Sequence, residues 1–275
     1  GCACAWRALG RGAGGAVWQV SCGDSAWFVK IAADALDRFS AEADGLRALA
    51  ECRAVRAPRV LCSGEQQGEA WLVMEWLAPG RKTEPAAAKL GEQLARQHQC
   101  LGERCGWRRH NFIGATPQFN NPADDWIKFL REHRLGFQLR LAAENGYRGD
   151  LQEQGAELME RLPAFFIGYT PKPSLLHGDL WAGNWDALET GEPVIFDPAV
   201  YYGDREADIA MTELFGGFPP AFHAAYRAHA PLDAGYRVRR DLYALYHLLN
   251  HLNLFGAGYF EQVRHTLGRL RSVLG

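Results

Sequence analysis

The fold is decided by two short stretches of sequence, LLHGDLWAGN at residues 175–184 and VIFDPA at residues 194–199. Each begins with an apolar run that is typical of a short strand, and the segment between them is rich in Gly, Asp and Asn, which favour turns. Four residues separate Asp179 from Asn184, and Asp197 directly follows the second apolar run. We therefore expect two carboxylates and one amide to converge at this loop.

This spacing is the D-x-x-x-x-N pattern of a kinase catalytic loop, and Asp197 stands where the metal-binding Asp of D-F-G lies. At the position of Asp179, a carboxylate can accept the proton of an attacking hydroxyl. The side chains of Asn184 and Asp197 offer hard oxygen atoms of the kind that Mg²⁺ prefers. For His177 we predict a structural role, in which it hydrogen-bonds the backbone near the loop. The alternative to a phosphoryl-transfer site is a pair of turns that happen to carry Asp and Asn.

The N-terminal part supplies candidate residues for the nucleotide. Residues 10–17 fit G-x-G-x-x-G-x-V, so the backbone at Gly12 and Gly15 could approach phosphate oxygens, although a loose glycine-rich linker explains the same residues. Lys30 lies within an apolar strand, where an unpaired ammonium is costly. Glu42 on the following helix and the bound phosphates can both pair with it, and an edge-strand lysine beside an unrelated surface glutamate remains the alternative.

The distribution of apolar residues predicts an α+β protein of the protein-kinase-like bilobal fold. Strands are predicted at 17–20, 27–31 and 70–75, with one helix at 37–51 between them. Helices are predicted at 86–100, 124–145, 151–162, 221–229 and 235–255. We therefore predict a small β-rich nucleotide-binding lobe at 1–77 and a larger, mainly helical catalytic and substrate lobe at 78–275.

Composition excludes several classes of partner. The 275 residues include 30 Lys+Arg and 32 Asp+Glu, which give a formal net charge of -2 and no basic surface for nucleic acid. No run approaches the roughly 18 apolar residues of a membrane span, and the first residues lack the pattern of a signal peptide, so a cytoplasmic location is expected. The 7 cysteines are odd in number and scattered, which predicts reduced thiols rather than a disulfide framework.

The catalytic-loop stretches resemble the fructosamine kinase family, whose members are fructosamine and ketosamine 3-kinases and relatives of aminoglycoside phosphotransferases. The resemblance spans nearly the whole chain, because NFIGATPQ at 111–118, YYGDREADIAM at 201–211 and YHLLNHLNL at 246–254 also look like blocks of that family. The Leu180-Trp181 pair inside the loop and the YYGDRE run are its most particular features, and they favour ketoamine substrates.

The resemblance implies a kinase-like fold, ATP with Mg²⁺, and phosphorylation of the sugar 3-hydroxyl of a small or protein-bound glycated amine, after which the product decays and frees the amine. It further implies Asp179 as proton acceptor, Lys30 on the phosphates, and Glu75-Trp76-Leu77 as the hinge that meets adenine through backbone hydrogen bonds. The Ala13-Gly14-Gly15-Ala16 segment departs from the family pattern, which usually has polar residues there.

Two further residues are candidates for substrate contacts. Trp181 is expected to stack on the sugar or on its amine-bearing group, although it could instead pack the loop onto the helical lobe. Arg205 could pair with a catalytic-loop carboxylate or with substrate, or belong to a helix start at which acidic residues are favoured. The alternative functions are a kinase of another alcohol, such as an aminoglycoside, choline or a homoserine-like compound, and a nucleotide-binding module without catalysis.

Overall fold

The computed structural model describes residues 3–12 and 15–274, so Ala13 and Gly14 of the glycine-rich motif lie outside the described residues. The strands, numbered in chain order, are β1 Ala5–Gly12, β2 Gly15–Cys22, β3 Ser25–Ala33, β4 Val60–Gln66, β5 Glu69–Glu75, β6 Asn111–Ile113, β7 Thr116–Gln118, β8 Ser174–Leu176, β9 Trp185–Ala187, β10 Pro193–Ile195 and β11 Tyr201–Gly203. The helices are α1 Leu36–Cys52, α2 Glu84–Gln97, α3 Trp126–Phe129, α4 Gly136–Glu144, α5 Asp150–Arg161, α6 Glu206–Leu214, α7 Pro220–His229, α8 Tyr236–Phe255 and α9 Phe260–Val273.

The chain forms two compact units. The first comprises the described residues up to Gln97 together with Gly183–Ala199 and Phe218–His229, and the second comprises His98–Ala182, Val200–Gly217 and the residues from Ala230 onward. The first unit continues beyond residue 77 because α2 packs closely on α7. A Cβ atom at Gly91 of α2 would lie 2.3 Å from the carbonyl oxygen of Phe222, so only glycine allows this approach. The division into two lobes at residue 77 stays a prediction.

The first unit is built on a five-stranded sheet with strand order β1-β2-β3-β5-β4, in which every neighbouring pair is antiparallel. Side chains alternate between the two faces of a strand, and Ala70, Leu72 and Met74 of β5 are buried on one face. Helix α1 contributes the buried Phe39 and Leu46 to the core of this unit, and each such side chain adds roughly 1.5–3 kcal/mol through burial. The α1 helix thereby also carries Glu42 into the unit.

The predicted α+β class is confirmed, with an N-terminal antiparallel sheet and a mainly helical C-terminal part. Each predicted strand and helix is present, although the predicted helix at 124–145 is divided by a π-helical turn at Leu130–Leu135. Strands β1 and β4 and helix α9 were not predicted from the sequence. β1 and β4 contain glycine and few β-branched residues, and they are strands because their neighbours in the sheet pair with them.

The prediction that the cysteines are reduced is wrong for Cys4 and Cys22, which form a disulfide with each other, and for Cys52 and Cys100, which are also disulfide-bonded. The β1–β2 register pairs Ala5 with Ser21, so Cys4 and Cys22, the adjacent residues, face each other. Their Cα atoms are 4.5 Å apart, which is within the range for disulfides. Because β1 was not predicted as a strand, the spacing of the cysteines did not indicate the Cys4–Cys22 pairing. Cys62 and Cys105 are free thiols.

The second unit is organised around the 20-residue helix α8, which contacts α6, α9 and α4. Its buried residues include Leu242, Leu245 and Leu249, but also the polar Arg239 and His247.

Among the residues that the structure describes, no helix combines the length and apolar character that a membrane span requires.

Candidate active site

A buried lysine between two carboxylates is the centre of the candidate site in the first unit. Lys30 Nζ lies 2.7 Å from Glu42 Oε1 and 2.6 Å from Asp197 Oδ1. The side chains of Lys30 and Glu42 are 9% and 13% exposed, whereas that of Asp197 is 48% exposed. The structure thus brings together three of the predicted site residues, from β3, α1 and the segment after β10.

Burial and the ion pairs act against each other on these groups. Burial alone would lower the pKa of Lys30, but the carboxylates of Glu42 and Asp197 outweigh this effect and raise it, so the ammonium stays charged. Burial raises the pKa of Glu42 to about 7, against the attraction of Lys30 and with a further contribution from the charge of Asp197. The lysine is therefore a permanent positive charge, suited to phosphate oxygens.

The β9–β10 hairpin places Asn184 and Asp197 at its open end. Trp185 pairs with Ile195 in the hairpin, and the N–H of Phe196 donates to the Asn184 carbonyl at 3.1 Å. Asp197 itself has φ 57°, a left-handed conformation that costs free energy in a non-glycine residue and that is concentrated at functional sites. The hairpin thus brings one carboxylate and one amide close together in the first unit.

These two side chains fit a magnesium ion in the nature of their donor atoms. Mg²⁺ in phosphoryl-transfer sites takes one or two carboxylates, and phosphate and water oxygens complete its octahedron. Among the residues that the structure describes, no group of three or more His, Cys, Asp or Glu could hold a metal. The donor set suits an ion that arrives with a nucleotide rather than one held by the protein alone.

A cavity of about 440 Å³ lies beside Asp197 within the first unit. It is lined by the three predicted hinge residues Glu75, Trp76 and Leu77, and by apolar residues that include Met74 and Val194. Its volume and its mixture of apolar walls with a few polar groups are typical of a small-molecule site. A nucleotide base in this cavity would lie next to β10 and the segment after it, which carries Asp197.

The hinge is held in place by the side chain of Glu75. Its carboxylate lies 2.7 Å from Arg56 Nη2 and accepts a hydrogen bond from the Arg59 N–H at 2.6 Å. The Glu75 N–H donates to the Arg59 carbonyl at 3.0 Å. A backbone N–H that binds adenine in this segment would therefore be that of Trp76 or Leu77. The ring of Trp76 stacks on Phe28, with centroids 6.4 Å apart.

The described residues of the glycine-rich motif belong to β1 and β2, where Gly12 pairs with Gly15. The structure gives Gly15 a packing role, because a Cβ atom there would lie 2.4 Å from the Ile31 carbonyl oxygen. Its φ of 131° also favours glycine. Phosphate contacts by Gly12 and Gly15 stay a prediction.

The loop that bears Asp179 belongs to the second unit, where it follows β8. Gly178 has φ 83°, a conformation that glycine adopts without strain, so the glycine of the H-G-D motif makes the turn into Asp179 possible. The Asp179 N–H donates to His177 Nδ1 at 3.3 Å. The predicted structural role of His177 is thereby confirmed, and the Asp179 side chain is half-buried.

Sequence reasoning missed the residue that anchors this loop, Asp208 of α6. Its carboxylate accepts hydrogen bonds from the N–H groups of His177 at 2.7 Å and Gly178 at 2.9 Å, and lies 3.1 Å from His98 Nε2. Burial alone would raise the pKa of Asp208, but these hydrogen bonds and the nearby histidines lower it. The Asp208 carboxylate therefore stays ionised and fixes the backbone before Asp179. In the sequence, Asp208 stands in the acidic first turn of a predicted helix, and this position indicated only an interaction between its charge and the helix dipole.

The two predicted substrate residues lie in different environments. Trp181 is 42% exposed, and its backbone N–H donates to the Asp179 carbonyl at 3.1 Å. Its ring therefore belongs to the same turn as the predicted base and is partly open to solvent. Arg205 donates to the backbone carbonyls of Ala230 at 3.0 Å and Pro231 at 2.5 Å. These bonds hold the turn before α8, and a substrate contact by Arg205 stays a prediction.

A protein-family model described as fructosamine kinase matches residues 6–272. A protein assigned as a ketoamine kinase in Synechocystis sp. is 46% identical over 259 residues, which cover 92% of this chain and 87% of the relative. These matches extend over both compact units.

Solved structures show the same relationship. The crystal structure of a protein assigned as a fructosamine-3-kinase from Haemophilus somnus has a TM-score of 0.89 at 30% identity, and the match covers 97% of this chain and 90% of that one. An aminoglycoside phosphotransferase, solved with ADP and hygromycin B, has a TM-score of 0.68 at 14% identity, covering 98% of this chain and 92% of that one. The second likeness concerns the fold alone, and the predicted protein-kinase-like fold is confirmed.

Proposed function

Because the chain belongs to the fructosamine kinase family, we propose that it transfers the γ-phosphoryl group of ATP to the 3-hydroxyl of a ketoamine. The observation that supports this most directly is the buried Lys30 between Glu42 and the half-exposed Asp197, beside a cavity lined by the hinge residues. A strand lysine paired with a helix glutamate, beside an aspartate that can hold Mg²⁺, is the arrangement of protein kinases.

In this proposal Lys30 binds phosphate oxygens of ATP, and Glu42 keeps the ammonium oriented. Asn184 and Asp197 would hold Mg²⁺, which supplies neutralisation of the phosphate charge. Residues 75–77 bind the adenine through their backbone. Asp197 can exchange its partner because half of its side chain is exposed, whereas Glu42 stays with Lys30 in the interior.

Asp179 accepts the proton of the sugar hydroxyl as its oxygen attacks the γ-phosphorus. The new O–P bond forms while the bond between the γ-phosphorus and the bridging oxygen breaks, and ADP leaves with that oxygen. Trp181 stacks on the sugar or on the amine-bearing part of the substrate. The phosphorylated product then decays and frees the amine, so the reaction removes a glycation. We further propose that the enzyme acts in the cytoplasm on small or protein-bound glycated amines.

Incubation with MgATP and a fructosamine or a ribulosamine tests the proposal, with ADP and phosphorylated sugar as the measured products. We expect stoichiometric formation of both with a ketoamine, and little with an aminoglycoside, choline or homoserine. Binding of ATP in a calorimeter without turnover on any of these acceptors would instead identify a nucleotide-binding module and overturn the proposal.

Substitution of the proton acceptor tests the assigned role. Asp179→Asn should lower turnover about 10²- to 10⁴-fold, the usual contribution of a positioned base, and leave ATP binding largely intact. The matched control is Asp150→Asn, at an exposed carboxylate in the first turn of α5, and it should keep wild-type turnover. Equal turnover in the two variants would remove Asp179 from this role.

A further inference from the structure

The first unit contains a second cavity, of about 430 Å³, on the opposite face of its sheet. Its lining residues all belong to the strands β1–β5 or to the β4–β5 turn, and none of them lines the cavity beside Asp197. Alternation along β3 separates the two cavities, because Phe28 lines the hinge cavity while Trp27 and Val29 line the second one. The second cavity is therefore independent of the candidate active site.

Indole rings form the walls of the second cavity. Val20 and Val29 lie buried at its base, and Trp6, Trp27 and Trp71 stand around them with part of each ring exposed. Trp6 is the most open, at 54% exposure. Three aromatic faces around one cavity offer a binding surface for the C–H faces of a sugar or for a cation.

Two of these rings are fixed in position by their neighbours. Trp71 lies directly over Gly64, where a Cβ atom would come within 2.7 Å of Cζ2 of the ring, so the absence of a side chain at 64 defines where the ring sits. Trp6 packs edge-on against Trp18, with ring centroids 6.0 Å apart. The walls are thus largely formed before any ligand binds, which lowers the entropic cost of binding.

The polar groups of the second cavity come from one hairpin. Gln66, Gln67 and Glu69 line it at the β4–β5 turn, and none of their side chains forms a hydrogen bond or ion pair with any other residue that the structure describes. Two side-chain amides can bind hydroxyl groups as donors and acceptors, and the carboxylate accepts from a cation. Among the described residues that line the cavity, Glu69 is the one charged residue, and none is a lysine or an arginine.

The composition of this lining selects the ligand. The negative charge of Glu69 disfavours phosphates and nucleotides, whereas aromatic faces beside a carboxylate favour an organic ammonium. The amides favour hydroxyl groups. We infer that the cavity is a second, non-catalytic site for an amine-bearing sugar, and the choice of a ketoamine, which carries both a sugar and a secondary ammonium, rests on the proposed function.

Calorimetric titration with fructosyl-lysine in the absence of ATP tests this inference on the full chain. We expect two binding events for the wild type, and a loss of about tenfold in the affinity of one of them in Glu69→Gln, because the ammonium loses its carboxylate. The matched control is Glu65→Gln, on the same hairpin but outside the cavity lining, which should titrate like the wild type. Free fructose, which lacks the ammonium, should bind the wild type and Glu69→Gln alike.

A Trp27→Leu variant provides a second measurement, since it removes a wall and should weaken the same event for fructosyl-lysine and for fructose. A single binding event, or identical titrations of Glu69→Gln and Glu65→Gln, overturns the inference. Wild-type turnover with MgATP, followed in parallel, separates the two proposals. Turnover without a Glu69-dependent event refutes only the second site, whereas a Glu69-dependent event without turnover refutes only the kinase activity.

Discussion

Each compact unit contains a buried cation between two carboxylates, and the two clusters differ in how completely the cation is satisfied. In the first unit Lys30 lies between Glu42 and the 48% exposed Asp197. In the second, Arg239 lies 2.7 Å from Glu206 and 2.7 Å from Asp233, whose side chain is 40% exposed. Both clusters therefore pair the cation with one buried and one accessible carboxylate.

The difference lies in the remaining contacts. Arg239 donates to both oxygens of Glu206 and to the Phe165 carbonyl at 3.3 Å, and its guanidinium lies 3.7 Å from the centre of the Tyr169 ring. Lys30 is a point charge on a flexible stem. Its ammonium has three N–H donors for the two carboxylates that it contacts among the described residues, so one donor can bind phosphate. The arginine cluster is built to stay closed, and the lysine cluster is built to accept a further anion.

The largest effect is expected when each cation is removed, and the two clusters should then differ in how much free energy of unfolding is lost. Arg239→Met leaves the fully buried Glu206 without its partner, and breaking a buried pair in this way costs about 3–5 kcal/mol. Lys30→Met should cost less, because the Lys30 ammonium contacts two carboxylates, whereas the Arg239 guanidinium contacts two carboxylates, the Phe165 carbonyl and the Tyr169 ring. Urea unfolding of both variants at pH 7 measures the difference, and an equal loss in both would break the comparison.

Removal of each accessible carboxylate should separate the clusters by activity. Asp197→Asn removes a predicted magnesium ligand and should lower turnover about 10²- to 10³-fold, as the loss of one electrostatic group at the reacting phosphate usually does. Asp233→Asn is its matched control, and it should keep turnover. Its cost in stability should be well below that of Arg239→Met, because the buried Arg239 guanidinium keeps its hydrogen bonds to both oxygens of Glu206. Steady-state kinetics with MgATP provide the measurement, and a loss of turnover in Asp233→Asn would contradict the distinction.

The lysine cluster could be foreseen from the sequence and the arginine cluster could not. The motifs that contain Lys30, Glu42 and Asp197 have the order and spacing of a phosphoryl-transfer site. This pattern predicts that the three side chains lie together. Arg239 and Glu206 are 33 positions apart on two helices with no motif between them, and only the packing of α6 against α8 joins them.

The same limit applies to Asp208 and to the tryptophan cavity. A buried aspartate that holds the backbone of a loop does so through tertiary contacts, and its sequence position indicated only a helix start. The cavity depends on the register of β1 and β4 with their neighbours, and neither strand was predicted because both lack a strong β pattern.

The smallest effect is expected for a buried titratable group that forms no ion pair with any residue that the structure describes. His247 of α8 is 3% exposed, and burial and the nearby His251 lower its pKa to about 3. Between pH 3 and 6.5 the unfolded chain binds a proton at this residue and the folded chain does not, so stability falls as the pH drops below about 6.5, by at most about 1.4 kcal/mol per pH unit. Above pH 7 the residue is neutral in both states and contributes no slope.

His247→Gln should therefore reduce the loss of unfolding free energy at acidic pH, measured by urea unfolding from pH 4.5 to 7.5. His265→Gln, at an exposed position of α9, should leave this loss unchanged. If His247→Gln and the wild type lost stability in parallel on acidification, the acid sensitivity would come from other groups. The neutral, buried state of His247 would then have no measurable effect on stability.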